Sequence, residues 1–357
     1  MSTRAPDAIA AEPRDALVLG AGVIGLSAAA RLLEAGYRVR VCARSLPPAV
    51  TSCIAAAFWY PYNVFPAKRV REWSLTSYAV FSELADRPET GVRRVPTLEL
   101  LPRALPRPGW SAMIPDFRSA PPAQLPEGYP AGFAFTSFVI ETPRYLPWLL
   151  RRVRTLGGVI ETRTLSSLAD APPADVIVNC TGLASRELVG DAALTPVRGQ
   201  LVRVENPGVE RVIIDEHSGA DAITYIVPRR HDVVLGGTAE RGRDDLEPDP
   251  AVTERIVARC RALEPRLADA RVLETYVGLR PCRDVVRLEQ EQEQKAGDVR
   301  APVIHNYGHG GAGVTLSWGC ARETLALVQR ALGARRSSPH ESPHEVARHP
   351  ERRTVCR

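Results

Sequence analysis

Three sets of residues in this 357-residue chain have types and spacing that could do chemistry. The first is Gly20, Gly22 and Gly25 in the run GAGVIG. Glycines at this spacing allow a tight turn after a strand, close backbone approach to a pyrophosphate, and close packing of the next helix, whose N-terminus faces the negative charge. Val23 and Ile24, between the second and third glycines, belong to the same cradle. The plainer alternative is a glycine-rich turn with no ligand, but the full strand–turn–helix–strand context favours the cradle. The second set is Arg280 at the end of the apolar run 276–279. A planar guanidinium there suits a two-pronged grip on a carboxylate, and an ion pair with a protein acid such as Glu274 is an equal alternative. The third is the run 310–315, GGAGVT, which leads into a helix-like stretch.

One element of the cradle departs from its usual form. The acid that takes a ribose hydroxyl about 20 residues on would fall near Arg44, where the residues are CARS and no carboxylate is present. Ser45 or the Arg44 guanidinium would contact the adenosine part instead. A phosphate pocket of the NADP type is the competing explanation.

These residues need elements to hold them. The pattern predicts a buried strand at 16–19, a helix over 26–35 closed by Gly36, and a strand at 38–42, a complete βαβ unit. From 60 to 143 prolines are dense, and no clean helix is expected there. A helix over 143–156 and a buried strand at 174–180 follow. Short β-like runs at 201–204, 212–215, 223–227 and 233–236 suggest a second sheet. Then come a helix over 249–263, strands at 276–279 and 303–306, and a closing helix over 316–332. Nucleotide-domain-like pieces therefore recur at the start, middle and end. The reading is an α/β fold: a Rossmann-like nucleotide domain (14–56, 144–195, 276–334) interleaved with an α+β substrate domain on a mixed, largely antiparallel sheet (57–143, 196–275). Segments 1–13 and 335–357 read as disordered tails.

Composition narrows the classes. Hydrophobic residues are 45% and charged residues 24%, ordinary for a globular protein. The net charge is +5, but six Arg and three Glu after residue 334 carry +3 of it. The basic balance therefore gives little support to nucleic-acid binding. No run approaches the ~18 apolar residues of a membrane span, and the first residues lack a secretory apolar core, so a cytoplasmic address is expected. The seven cysteines are odd in number and no two form a CxxC, which argues against a zinc site and a disulfide framework. His340, His344 and His349 read as a solvated tail, and no metal site is expected.

Several ordered segments resemble one family: GAGVIGLS at 20–27, TSCIAAAFWYPY at 51–62, VNCTG at 178–182, RGQ at 198–200, YIVP at 225–228, LGG at 235–237, GLRPCR at 278–283 and HNYGHGGAGVTLSWGC at 305–320. Together they resemble the D-amino-acid oxidase family, across roughly residues 16–332. The resemblance implies non-covalent FAD, oxidation of a D-amino acid by hydride transfer from the α-carbon to flavin N5, and electron transfer to molecular oxygen. The products would be a 2-oxo acid, ammonia and hydrogen peroxide.

By residue matching, Arg280 and Tyr225 would hold the substrate carboxylate and the Gly311 carbonyl would accept from the amine. Phe58 and Tyr60 would line the pocket. Gly310, Gly311, Gly313, Val314 and Thr315 would lie against the flavin and stabilise negative charge on it. Thr51 and Ser52 would contact its phosphates or ribityl chain, and Leu165 and Gly182 would stand near its other parts. As plain structure, Tyr225, Phe58 and Tyr60 would be core aromatics, and Thr51 and Ser52 a helix cap. His309 is not assigned as a base, because a substrate entering with a neutral amine needs none at the α-carbon. A second tyrosine of the family's mammalian members falls on Asp221, which would favour a basic side chain. No arginine lies in 215–224 to receive a side-chain carboxylate, so neutral, apolar D-amino acids are expected ahead of acidic ones. The alternatives are D-aspartate oxidase, a glycine or sarcosine oxidase of the same fold, an NADP-dependent dehydrogenase, or a non-catalytic flavoprotein. A homodimer is left open.

Overall fold

The computed structural model describes residues 14–61, 64–217, 222–292 and 301–337. The expectations placed on Asp221, on 1–13 and on 338–357 fall outside these residues. In chain order the elements are β1 Asp15–Leu19, α1 Val23–Glu34, β2 Arg38–Ala43, α2 Thr51–Ile54, α3 Ala67–Leu84, β3 Val92–Leu101, β4 Arg118–Ser119 and β5 Ala131–Ile140. There follow α4 Thr142–Thr155, β6 Val159–Thr162, β7 Val176–Asn179, α5 Ser185–Leu188, β8 Thr195–Glu205, β9 Val212–Asp215 and β10 Ala222–Pro228. The last are β11 Asp232–Thr238, β12 Glu240–Arg241, α6 Pro250–Leu263, β13 Val272–Gln290, β14 Val303–His309 and α7 Gly313–Ser337.

The strands form one sheet with the order β4-β5-β3-β9-β10-β11-β8-β13-β14-β7-β1-β2-β6, and β12 pairs with β8 to the side. From β14 to β6 every pairing is parallel. From β4 to β14 the pairings are antiparallel, except β3 with β9. The fold is α/β. In the parallel part, buried strands such as Leu17–Leu19 and Val176–Val178 are apolar on both faces, because helices cover one and loops the other. In the antiparallel part β3 alternates: Leu98 and Leu100 join the core under α6, while Val95 and Leu101 join the core around the cavity described below.

Two expectations need correction. Helix α3 lies within the stretch read as broken by prolines. Its 18 residues fall between Pro66 and Pro88, where no proline intervenes, and Val70, Trp73, Ser74, Ser77, Phe81 and Leu84 form its buried stripe. Helix α7 begins at Gly313 and runs to Ser337, so it starts three residues earlier than read and passes the expected start of the tail. Elsewhere local chemistry sets the boundaries. The Asp249 carboxylate accepts from the Ala251 and Val252 amides and Pro250 occupies the first turn, which fixes where α6 begins.

Candidate active site

A cavity of about 1070 Å³ crosses from the parallel to the antiparallel part of the sheet. At its parallel end, β1 runs into Gly20, whose φ of 102° suits glycine. A Cβ on Gly20 would lie 2.5 Å from the Cys180 carbonyl oxygen. Gly22, Val23 and Ile24 line the cavity. Gly25 packs behind the turn, where a Cβ would overlap the Gly20 carbonyl. This turn and the start of α1 bring backbone to the cavity wall with no side chain between. Arg44 and Ser45 after β2, Leu165 after β6 and Gly182 after β7 line the same end. Thr51 and Ser52 line it from α2, which has no side-chain cap; the Ser52 hydroxyl instead accepts from the Val23 amide at 3.1 Å.

At the other end Arg280 projects from β13 across β8. Its Nη1 donates to the Thr238 carbonyl at 2.8 Å, and its guanidinium lies over Gly199, where a Cβ would stand 2.6 Å from Cζ. Glu274 is taken by Arg203 at 3.1 Å and by the Tyr276 hydroxyl at 2.5 Å. Among the described residues no carboxylate pairs with Arg280. Tyr225, on β10, pairs in register with Gly236 on β11. A Cβ on Gly236 would fall within the Tyr225 ring, so this glycine makes the ring's position possible. Burial raises the Tyr225 hydroxyl pKa, while the hydrogen-bonded Arg280 guanidinium pulls it back.

Phe58 and Tyr60 stand beside Tyr225, with ring centroids 6.1 Å (Phe58–Tyr225) and 5.9 Å (Phe58–Tyr60) apart. Trp59 between them turns into the core and donates to the Ser74 carbonyl at 2.9 Å. Thr315 ties this strip to α7: its hydroxyl accepts from the Tyr60 amide at 3.2 Å and donates to the Tyr60 carbonyl at 3.1 Å. That hydroxyl is thereby committed, so the backbone of the first turn of α7 is what meets the cavity. Gly310, Gly311, Gly313, Val314 and Thr315 all line it. His309 is buried, with Nε2 unpartnered among the described residues, and burial pushes its pKa down to about 3. At neutral pH this imidazole is uncharged and a poor proton acceptor.

The roles of four residues at this site were missed in the sequence, although Gly199 and Gly236 lie in the quoted runs RGQ and LGG. Gly199 and Gly236 make room for Arg280 and Tyr225, and only strand register discloses them. Glu99 on β3 and Glu216 just after β9 both face Tyr60, and together with burial their charges raise its hydroxyl pKa. Their signal was period two: Glu216 follows Val212 and Ile214, and Glu99 follows Val95 and Thr97, onto the cavity face. Burial pushes each carboxyl up to about 7; their mutual repulsion adds to the rise at Glu216.

Comparison with known proteins agrees with this geometry. A family model described as FAD dependent oxidoreductase matches residues 15–327. A D-amino-acid oxidase of Rubrobacter xylanophilus is 52% identical over 89% of this chain and 96% of its own length. A D-amino-acid oxidase of Streptomyces coelicolor is 44% identical over 88% and 96%. Among solved structures, glycine oxidase of Bacillus cereus superposes with a TM-score of 0.71 at 20% identity, covering 89% of this chain and 95% of that one, which speaks to fold alone. No helix among the described residues is long and apolar enough to cross a membrane. With a nucleotide cradle and a carboxylate-free arginine in one cavity, and relatives this similar along almost the whole length, the chain belongs to the D-amino-acid oxidase family of FAD dependent oxidoreductases.

Proposed function

We propose that the chain catalyses oxidative deamination of D-amino acids, with the substrate carboxylate held by Arg280 and Tyr225. One observation carries this reading. A half-buried guanidinium beside a tyrosine hydroxyl has no acid partner among the described residues, and it shares a cavity with a glycine-built nucleotide cradle. The cavity fits FAD: its parallel end presents backbone at Gly20–Ile24 and at the start of α7, and its volume exceeds what an amino acid alone would need. Gly20, Gly22, Val23, Ile24, Thr51, Ser52, Leu165 and Gly182 would hold the phosphate and adenosine parts, with Arg44 and Ser45 in place of the usual acid. Gly310 to Thr315 would lie along the ring system. FAD supplies, when bound, an acceptor for the α-carbon hydride and a route for the electrons to oxygen.

The chain's own residues align and exclude. Arg280 neutralises the carboxylate and fixes it at two points. Tyr225 donates to the same group, and the Gly311 carbonyl accepts from the amine. The Phe58–Tyr60 strip walls off the side chain and keeps water from the α-carbon. Neutral His309 takes no part in proton transfer. The imino acid that leaves is hydrolysed to a 2-oxo acid and ammonia. The NADP alternative raised by Arg44 gives way to the family match.

An anaerobic visible spectrum tests the reading. The FAD-loaded protein bleaches on addition of D-valine and stays yellow with L-valine. A spectrum unchanged by D-amino acids but bleached by sarcosine would place the chain with the amine oxidases instead.

A further inference from the structure

Two carboxylates at the side-chain end of the cavity, Glu99 buried and Glu216 half-buried, have more acceptor sites than the protein supplies donors. Glu216 lines the cavity and Glu99 stands behind it, 7% exposed. Both face Tyr60, whose hydroxyl has at most a single proton to give. Glu99 Oε2 and Glu216 Oε1 are buried with no hydrogen-bond partner among the described residues. No cation pairs with either acid among those residues. Neighbouring Asp215 adds negative charge; its own Oδ2 accepts from the Tyr129 hydroxyl at 2.5 Å. An acid pair this enclosed and without a counter-charge is costly, and the lack is specific: a donor-rich positive group.

The geometry says where that group comes from. Arg280 and Tyr225 mark the carboxylate end, and Phe58 leads from Tyr225 to Tyr60 in two ring steps. A long, unbranched substrate side chain lying along this strip would bring its terminus to Glu216. We propose that Glu216, backed by Glu99 and Tyr60, selects D-amino acids with a cationic side chain, such as D-lysine, D-ornithine and D-arginine. This rests on the D-amino-acid oxidation reading above. It changes the order expected from sequence, where neutral side chains came first. An ammonium brings three donors and a guanidinium five, which satisfies the open oxygens and cancels the charge. A substrate with a side-chain carboxylate would meet repulsion at the same place.

The test uses the FAD-saturated, full-length protein at about pH 8, where a lysine side chain keeps its proton. D-Lysine and D-norleucine have the same carbon chain and differ in the terminal ammonium. The expected kcat/KM, read from peroxide release, is at least about tenfold higher for D-lysine, mostly through KM. Glu216→Gln reduces the D-lysine to D-norleucine ratio about tenfold or more, and Glu216→Asp restores part of it. The wild-type ratio stands even if a variant folds poorly. D-Norleucine oxidised as well as D-lysine, or better, overturns the proposal while leaving D-amino-acid oxidation intact. Oxidation of neither removes the underlying reading and the proposal with it. An equal loss in flavin reduction rate for both substrates in Glu216→Gln would make Glu216 a proton acceptor and overturn selection.

Discussion

The two ends of the cavity are built from different materials. The parallel end is backbone: Gly20, Gly22 and the first turns of α1 and α7 lie against the space, and few side chains intervene. The antiparallel end is side chain: Arg280, Tyr225, Phe58, Tyr60 and Glu216 come from β13, β10, the strip after α2 and the end of β9. Backbone recognition needs contiguous small residues, so it is written locally. Side-chain recognition gathers residues far apart in the chain, so it depends on register. A ligand made of phosphates and a flat ring suits the first; a small zwitterion with a variable tail suits the second.

Breaking the second end should have the largest effect. Arg280→Met removes the one cation that, among the described residues, faces the substrate carboxylate in the proposed site. A fall in kcat/KM of about a hundredfold or more is expected, from the cost of leaving a buried charge unpaired. The flavin spectrum should stay unchanged; loss of flavin together with activity would contradict the division between the ends. Gly236→Ala comes next. Its Cβ would occupy the Tyr225 ring, so the ring must move, and a loss of roughly tenfold to a hundredfold in kcat/KM follows with FAD retained. Gly22→Ala is milder and opposite in kind. A Cβ there lies 3.2 Å from the Ser52 hydroxyl, a contact that a small shift relieves. FAD should bind about tenfold more weakly by titration, with kcat little changed at saturation. Substrate KM rising instead would blur the comparison.

The smallest effect is in pH. Glu99 and Glu216 titrate near 7 in the fold, above the usual carboxylate range, facing Tyr60, Asp215 and each other. The folded state therefore holds more protons than the unfolded one between those values. The stability from these groups is complete below about pH 4.5 and is lost as pH rises through about 7. His309 works the other way, since its lowered pKa costs stability as pH falls from about 6.5 toward 3. The difference in Tm between wild type and Glu216→Gln isolates the acid pair. From about pH 5 to about pH 8 the wild type should lose roughly 2 °C or more relative to the variant. A parallel pH course in both would remove Glu216 from this account.

What could be read from sequence follows the same divide. The βαβ unit around Gly20 was legible because strand, turn and helix signals adjoin. Helix α6 was read over 249–263 and runs over Pro250–Leu263, because its signals lie within a few residues of each other. Helix α3 was hidden by the prolines on either side, although its stripe from Val70 to Leu84 repeats at helical spacing. Arg280 could be marked as a carboxylate binder or an ion-pair partner, and local sequence could not choose. Glu274 is occupied by Arg203 on the neighbouring β8 and by Tyr276 two residues along β13, which removes that one ion-pair alternative. Gly199 and Gly236 are legible only once the register of β8, β11 and β13 is known.

Strand β13 is 19 residues long and pairs with β8 along its first part and with β14 along its last. Its neighbour β14 pairs antiparallel with β13 and parallel with β7, so the two strands together join both parts of the sheet. Local opening of one part must shear hydrogen bonds in the other, so the two should melt in one calorimetric transition. Free energy from FAD binding near β14 would then also slow amide exchange in β8 and β11.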